Sequence, residues 1–181
     1  MYEPFIQQCV IRPQYAHLQR AYEAYRGNSS PCQRGFANQC AVRMSIALGR
    51  SGFDINCFTP TTRVHDGGAR CRTDNMPHVV GANELANFLR RGLGEPVIIR
   101  SRSQHNGCIH AIDQIRSQTG IIYFNNCFTR GASIVQTGDH IDLFNGSQYY
   151  NQILRPRAGG NESTVGNLFR TADQVWFWVL R

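Results

Sequence analysis

The period of the apolar residues changes once along this chain, and that change constrains the fold more than any other feature. Up to about residue 94 the apolar positions recur at helical spacing; beyond it they gather in short β-branched and aromatic runs. The segment PQYAHLQRAYEAYR, residues 13–26, puts Tyr15, Leu18, Ala21, Tyr22 and Tyr25 on one face. Pro13 near its start and Gly27 beyond its end complete the signature of a helix. NQCAVRMSIALGRSG, residues 38–52, predicts a second helix, with Asn38 as its cap and Ala41, Met44 and Leu48 in step. Gly49 and Gly52 mark its end. ANELANFLRRGLG, residues 82–94, predicts a third through Leu85, Phe88 and Leu89. Residues 53–81 keep no period and read as a long irregular insertion, and 155–173 carry no clear motif.

Strands follow the third helix: EPVIIRS (95–101), CIHAIDQI (108–115), GIIYFNNCF (120–128), HIDLFN (140–145) and QVWFWVL (174–180). Helices first and an antiparallel meander afterwards make an α+β fold, N-terminal helices on an antiparallel sheet, within one domain spanning residues 1–181. A hairpin across SQTG sets Cys108 opposite Cys127, within reach of a cross-strand disulfide.

Charge and cysteines narrow the setting. Nineteen basic against twelve acidic residues give +7, a surface suited to anionic partners such as nucleic acid, acidic lipid or a cell-wall polymer. The arginines are scattered, and no zinc-finger spacing, RNA-binding signature or basic helix accompanies them, so nucleic acid is not the expected partner. No apolar run approaches the roughly 18–20 residues of a membrane span. The start MYEPFIQQCVIRPQY is not a secretory signal. Seven cysteines permit three disulfides and one free thiol, which favours an oxidising compartment reached without a signal peptide; seven reduced, buried thiols are the alternative.

Among those cysteines, Cys40 alone falls in the first turn of a predicted helix, where unpaired N–H groups and the helix dipole favour a thiolate. It is a filler, half of a disulfide, or a nucleophile, and only the last uses that position. The same N–H groups could hold the oxyanion of a tetrahedral intermediate. A base must accompany a nucleophile. His140 opens the strand in GDHIDLFNG, where a strand end can present a side chain to a cleft, and His110 inside CIHAIDQI is the runner-up. A third group must orient the imidazole. Asp142 shares the strand face of His140 but points parallel to it; the turn NGS at 145–147 brings a residue of the next strand across, and Asn151 is the better candidate. No metal is expected, because His105, Cys108 and His110 lack zinc spacing and neither CxxC nor HExxH occurs. No phosphate-cradling glycine pattern is present and no cofactor is expected.

A helix-start cysteine followed by a strand histidine and a polar group one strand on resembles the NlpC-like branch of papain-fold hydrolases. NQCAVRMSIALGRSG and TGDHIDLFNGS resemble the two signature blocks of type VI secretion amidase effector family 4, most strongly over residues 36–52 and 137–147. The resemblance implies a papain-like, NlpC-like cysteine amidase, an antibacterial toxin that cleaves the γ-D-glutamyl–meso-diaminopimelate amide of peptidoglycan stem peptides. It implies Cys40 as nucleophile and His140 as general base, then acid. The third residue of the family is typically an aspartate on the strand after the histidine; here Asn151 stands at the matching place, which leaves Asn151 and Asp142 both open. It further implies secretion without a signal peptide, action in the periplasm of target bacteria, and a cognate immunity protein that plugs the cleft as a dimer. A papain-fold acyltransferase and a non-catalytic wall-binding module are the rival readings.

Overall fold

The computed structural model describes residues 11–24, 39–55, 63–64, 78–102, 107–129, 136–149 and 166–181. The chain forms two compact units, Met1–Glu95 with Arg181, and Pro96–Leu180.

In the first unit the three predicted helices are all present. Helix α1 spans Tyr15–Glu23 and buries Tyr15, Leu18 and Tyr22, the face its period predicts. Helix α2 spans Cys40–Arg50, and every residue from Cys40 to Leu48 is buried. Its surroundings explain this, since α1, helix α3 (Ala82–Leu93) and a short strand all pack on it. That strand, β2 (His78–Val79), pairs antiparallel with β1 (Arg63–Val64) inside the region read as an irregular insertion. Ser45 ties the strand to the helix: its hydroxyl donates to the Val42 carbonyl at 2.9 Å and accepts from the Val79 N–H at 3.1 Å. Helix α2 runs through Gly49 and stops at Ser51, whose hydroxyl donates to the Ala47 carbonyl at 2.6 Å; Gly52 then turns the chain at φ +91°. Phe53 meets Phe88 of α3 edge to face, ring centres 5.4 Å apart.

The second unit holds a four-stranded antiparallel sheet of β3 (Val97–Arg100), β4 (Gly120–Thr129), β5 (Gln136–Phe144) and β6 (Gln174–Val179), in the order β3-β6-β4-β5. Antiparallel pairing agrees with the sequence, but the order is not a meander. The last strand lies inside the sheet because Val175, Trp176, Phe177 and Trp178 put apolar side chains on both faces and all four are buried. Polar or shorter strands, β5 and β3, take the edges.

The segment CIHAIDQI is not a strand. Residues 107–110 form a turn and Ala111–Ile115 a short helix, α4. Gly107 takes φ +48°, and a side chain there would collide with the Arg170 carbonyl. The hairpin across SQTG therefore does not form, and residues 117–119 join α4 to β4, which pairs with β5 and β6 instead. The predicted Cys108–Cys127 disulfide falls with it: the two thiols are not joined, and both are buried in the core under the sheet. That core joins Ile122, Phe124, Val175 and Phe177 of the sheet to Ala111 and Ile115 of α4 and to Phe169. Phe169 lies on helix α5 (Gly166–Thr171), an element absent from the sequence reading, and packs edge to face on Phe124 at 4.9 Å.

Cys108 works here as a hydrogen-bond donor, its Sγ lying 3.3 Å from the Ala172 carbonyl and 3.5 Å from that of Ile99. Burial pushes its thiol from 9.0 up to about 11. A folded thiol that ionises later than an unfolded one loses stability for the fold as pH rises from 9 toward 11, and none below 9. Iodoacetamide at pH 8 is therefore expected to leave Cys108 unmodified in the native protein and to modify it in urea, read by peptide mass. Rapid labelling of native Cys108 would contradict this packing.

Candidate active site

The two sequence blocks singled out above supply the candidate groups, one block from each unit. In the first unit Cys40 is the first residue of α2 and 8% exposed. The expected cap Asn38 lies outside the described residues. The residue at the cap position is Gln39, whose side chain makes no capping bond, while its carbonyl accepts from the Arg43 N–H at 3.0 Å. The N–H groups ahead of Arg43, in the turn that carries the thiol, have no intrahelical acceptor by the geometry of any α-helix. They are placed to favour negative charge on Cys40 Sγ or on an oxygen beside it.

In the second unit His140 sits on edge strand β5 opposite Phe124, and Asp142 sits opposite Ile122. Residues two apart on a strand share a face, so ring and carboxylate both turn into an otherwise apolar layer. His140 is 5% exposed and Asp142 0%. The His140 ring lies between Phe124, 6.3 Å away centre to centre, and Tyr149, 6.1 Å away and edge on. His140 Nε2 lies 3.4 Å from Asp142 Oδ2, and Asp142 Oδ1 accepts from the Leu143 N–H at 2.8 Å. The ring contact is long for a settled hydrogen bond, as catalytic contacts outside the reacting complex often are. The parallel direction of same-face side chains does not keep this carboxylate from the imidazole.

Asn151, the other orienting candidate, lies outside the described residues. The turn that leads to it is present: Asn145 Oδ1 accepts from the N–H groups of Ser147 at 3.0 Å and Gln148 at 2.8 Å, and Tyr149 bridges back to Phe144. Tyr149 joins the histidine's surroundings as well, and its position just past the turn NGS is the sequence signal that places it there. Burial, then the charge of Asp142, raises the ionisation of its hydroxyl above the usual tyrosine value, so it stays neutral.

His110, the runner-up base, caps α4 instead of sitting in a strand. Burial, then the charge of Arg102, lowers its pKa. Of the suggested metal trio, His105 lies outside the described residues, and Cys108 is a protonated donor to two carbonyls. Among the described residues no three His, Cys, Asp or Glu side chains converge as a metal site, and no helix is long and apolar enough to cross a membrane.

The first unit offers a helix-start thiol, and the second a buried histidine–carboxylate pair. Residues 36–178, well over half of the chain, match the family model of type VI secretion system (T6SS) amidase effector protein 4, Tae4. No curated protein matches the sequence. Two solved structures share the fold. One is the effector Tae4 from Salmonella typhimurium in complex with the immunity Tai4 from Enterobacter cloacae, with TM-score 0.61 and 22% identity over 94% of this chain and 100% of that one. The other is the type VI effector Tae4 from Enterobacter cloacae, with TM-score 0.62 and 18% identity over 95% and 99% of the two chains. The mixed helix and antiparallel-sheet architecture is thus that of the Tae4 structures, and the chain belongs to the type VI secretion amidase effector 4 family.

Proposed function

We propose that residues 1–181 form one cysteine amidase domain that hydrolyses the γ-D-glutamyl–meso-diaminopimelate amide in the peptidoglycan stem peptides of rival bacteria. The observation that carries this reading is Cys40 at the first position of α2, in a member of an amidase effector family. In the proposed reaction His140 takes the proton of Cys40, and the thiolate attacks the D-glutamyl γ-carbonyl. First-turn N–H groups of α2 stabilise the oxyanion. The tetrahedral adduct collapses, the C–N bond breaks, and the diaminopimelate amine leaves with the proton from His140. Water, deprotonated by His140, then attacks the thioester, releasing a γ-carboxylate and returning the proton to Cys40.

This reading takes Asp142 as the orienting group, supported by its Oδ2 lying 3.4 Å from His140 Nε2. Three further features fit the reading. A charge of +7 suits an anionic wall polymer. Delivery by a type VI apparatus into the target periplasm fits the family. The Tae4 from Salmonella typhimurium is bound to an immunity protein in its crystal structure, and a cognate immunity protein acting as a dimeric plug of the cleft is the partner proposed here.

Digestion of purified sacculi with fragments identified by mass tests the assignment. Wild-type protein should release fragments ending in a free D-glutamyl carboxylate, and Cys40→Ala should release none while keeping its far-UV circular dichroism. A fully active Cys40→Ala variant sinks the cysteine mechanism; wall binding without any cleavage by wild type points to a binding module, and acyl transfer to an added amine points to an acyltransferase.

The orienting role has its own comparison. Asp142→Ala should lower kcat by roughly 10²-fold or more, the lower end of what a positioned acid–base group supplies. It should cost at least about tenfold more than Asn151→Ala under the same assay. The reverse order would transfer the role to Asn151.

A further inference from the structure

The block GDHIDLFNG holds a second carboxylate, Asp139, that the reaction above does not use. Its place is set by an irregularity in the sheet. Phe124 pairs with His140 and Phe128 with Gly138, so Asn125, Asn126 and Cys127 of β4 face the single residue Asp139 of β5. Such a bulge leaves backbone groups without ladder partners and bends the strand that carries it. Here Asp139 Oδ1 accepts from the Asn126 N–H at 3.0 Å and from the Asn125 side-chain amide at 3.2 Å. Asn126 takes the left-handed conformation, φ 49°, which asparagine tolerates better than most residues.

The bulge is also anchored from its other side. The Asn126 amide donates to Asp173 Oδ2 at 2.9 Å, the Asp173 N–H donates to the Asn125 carbonyl at 3.0 Å, and the Thr171 hydroxyl donates to the Cys127 carbonyl at 2.6 Å. Asp139 is the link from this anchored loop to the residue next to it, His140. Gly138 completes the join, since a side chain there would strike the Phe128 ring.

We propose that Asp139 is a positioning residue, clamping the end of β5 to the β4 bulge so that the His140 ring is held at one fixed height and angle. Its acceptor oxygen, not its charge, is what the clamp uses. This rests on the reading of His140 as the catalytic base. Asn at this position keeps an oxygen able to accept the Asn126 N–H; Ala does not.

Two measurements on the full chain separate the parts of the proposal. Hydrogen–deuterium exchange of the peptide covering residues 136–144 should be faster in Asp139→Ala than in wild type and near wild type in Asp139→Asn, with α1 unchanged in both. On sacculi, Asp139→Ala should lower kcat by roughly 10- to 100-fold with KM little changed, the penalty of a misplaced catalytic group, and Asp139→Asn should restore most of it. Wild-type exchange in Asp139→Ala overturns the clamp. Wild-type kcat in that variant overturns its role in positioning His140. A slow Asp139→Asn with restored exchange overturns the acceptor argument in favour of charge. If wild type itself cleaves nothing, the functional reading fails, and the exchange comparison still decides whether the clamp exists.

Discussion

A carboxylate with no exposed surface must be compensated where it lies, and Asp142 imposes that demand on its half of the fold. An uncompensated buried charge costs several kcal/mol, on the order of a whole domain's margin of stability. The compensation is local: one oxygen takes the Leu143 N–H, and the other faces His140 Nε2. Both residues reach the same layer only because β5 pairs with β4 in the observed register. A slip of one residue would turn ring and carboxylate to the opposite face together. Aromatic rings from Phe124 and Tyr149 then flank the pair, giving it a surrounding of low polarity in which each remaining polar contact counts for more.

Much of this was legible in the sequence, and the exceptions have physical reasons. Helices α1, α2 and α3 were readable because their apolar residues keep a 3.6 period and their ends carry Pro, Asn or Gly. Strands β4 and β6 were readable from unbroken β-branched and aromatic runs. CIHAIDQI was misread although Cys108, Ala111, Ile112 and Ile115 stand at i, i+3, i+4 and i+7, the helical pattern; its isoleucines suggested a strand instead. The false hairpin and the disulfide both followed from that one error. Helix α5 is six residues long, and Phe169 is the one fully buried side chain among its described residues, so no period announces it. Sheet order is a non-local property, and only the two-sided apolarity of QVWFWV hinted that β6 belongs inside.

The histidine's partner shows a subtler limit. Side chains two apart on a strand stand roughly 6–7 Å from each other, which a long imidazole leaning along the strand can close. Same-face side chains are therefore not held strictly parallel, and Asp142 reaches the ring. The role of Asp139 was also hidden, because it depends on three residues of β4 facing one of β5, and residue types alone do not reveal a bulge. The helix start that singles out Cys40 is present, whereas His140, expected to open its strand, lies inside β5, which already begins at Gln136.

The fold and family together make an amidase effector; a shared action of Cys40 and His140 is the claim on which the mechanism turns. The rate at which iodoacetamide alkylates Cys40 at pH 6.5, followed by peptide mass in wild type and in His140→Ala, measures it without any substrate. An imidazole that takes up the thiol proton predicts a rate at least about tenfold higher in wild type. Equal rates in the two proteins would show that His140 does not act on this thiol, and would contradict the mechanism.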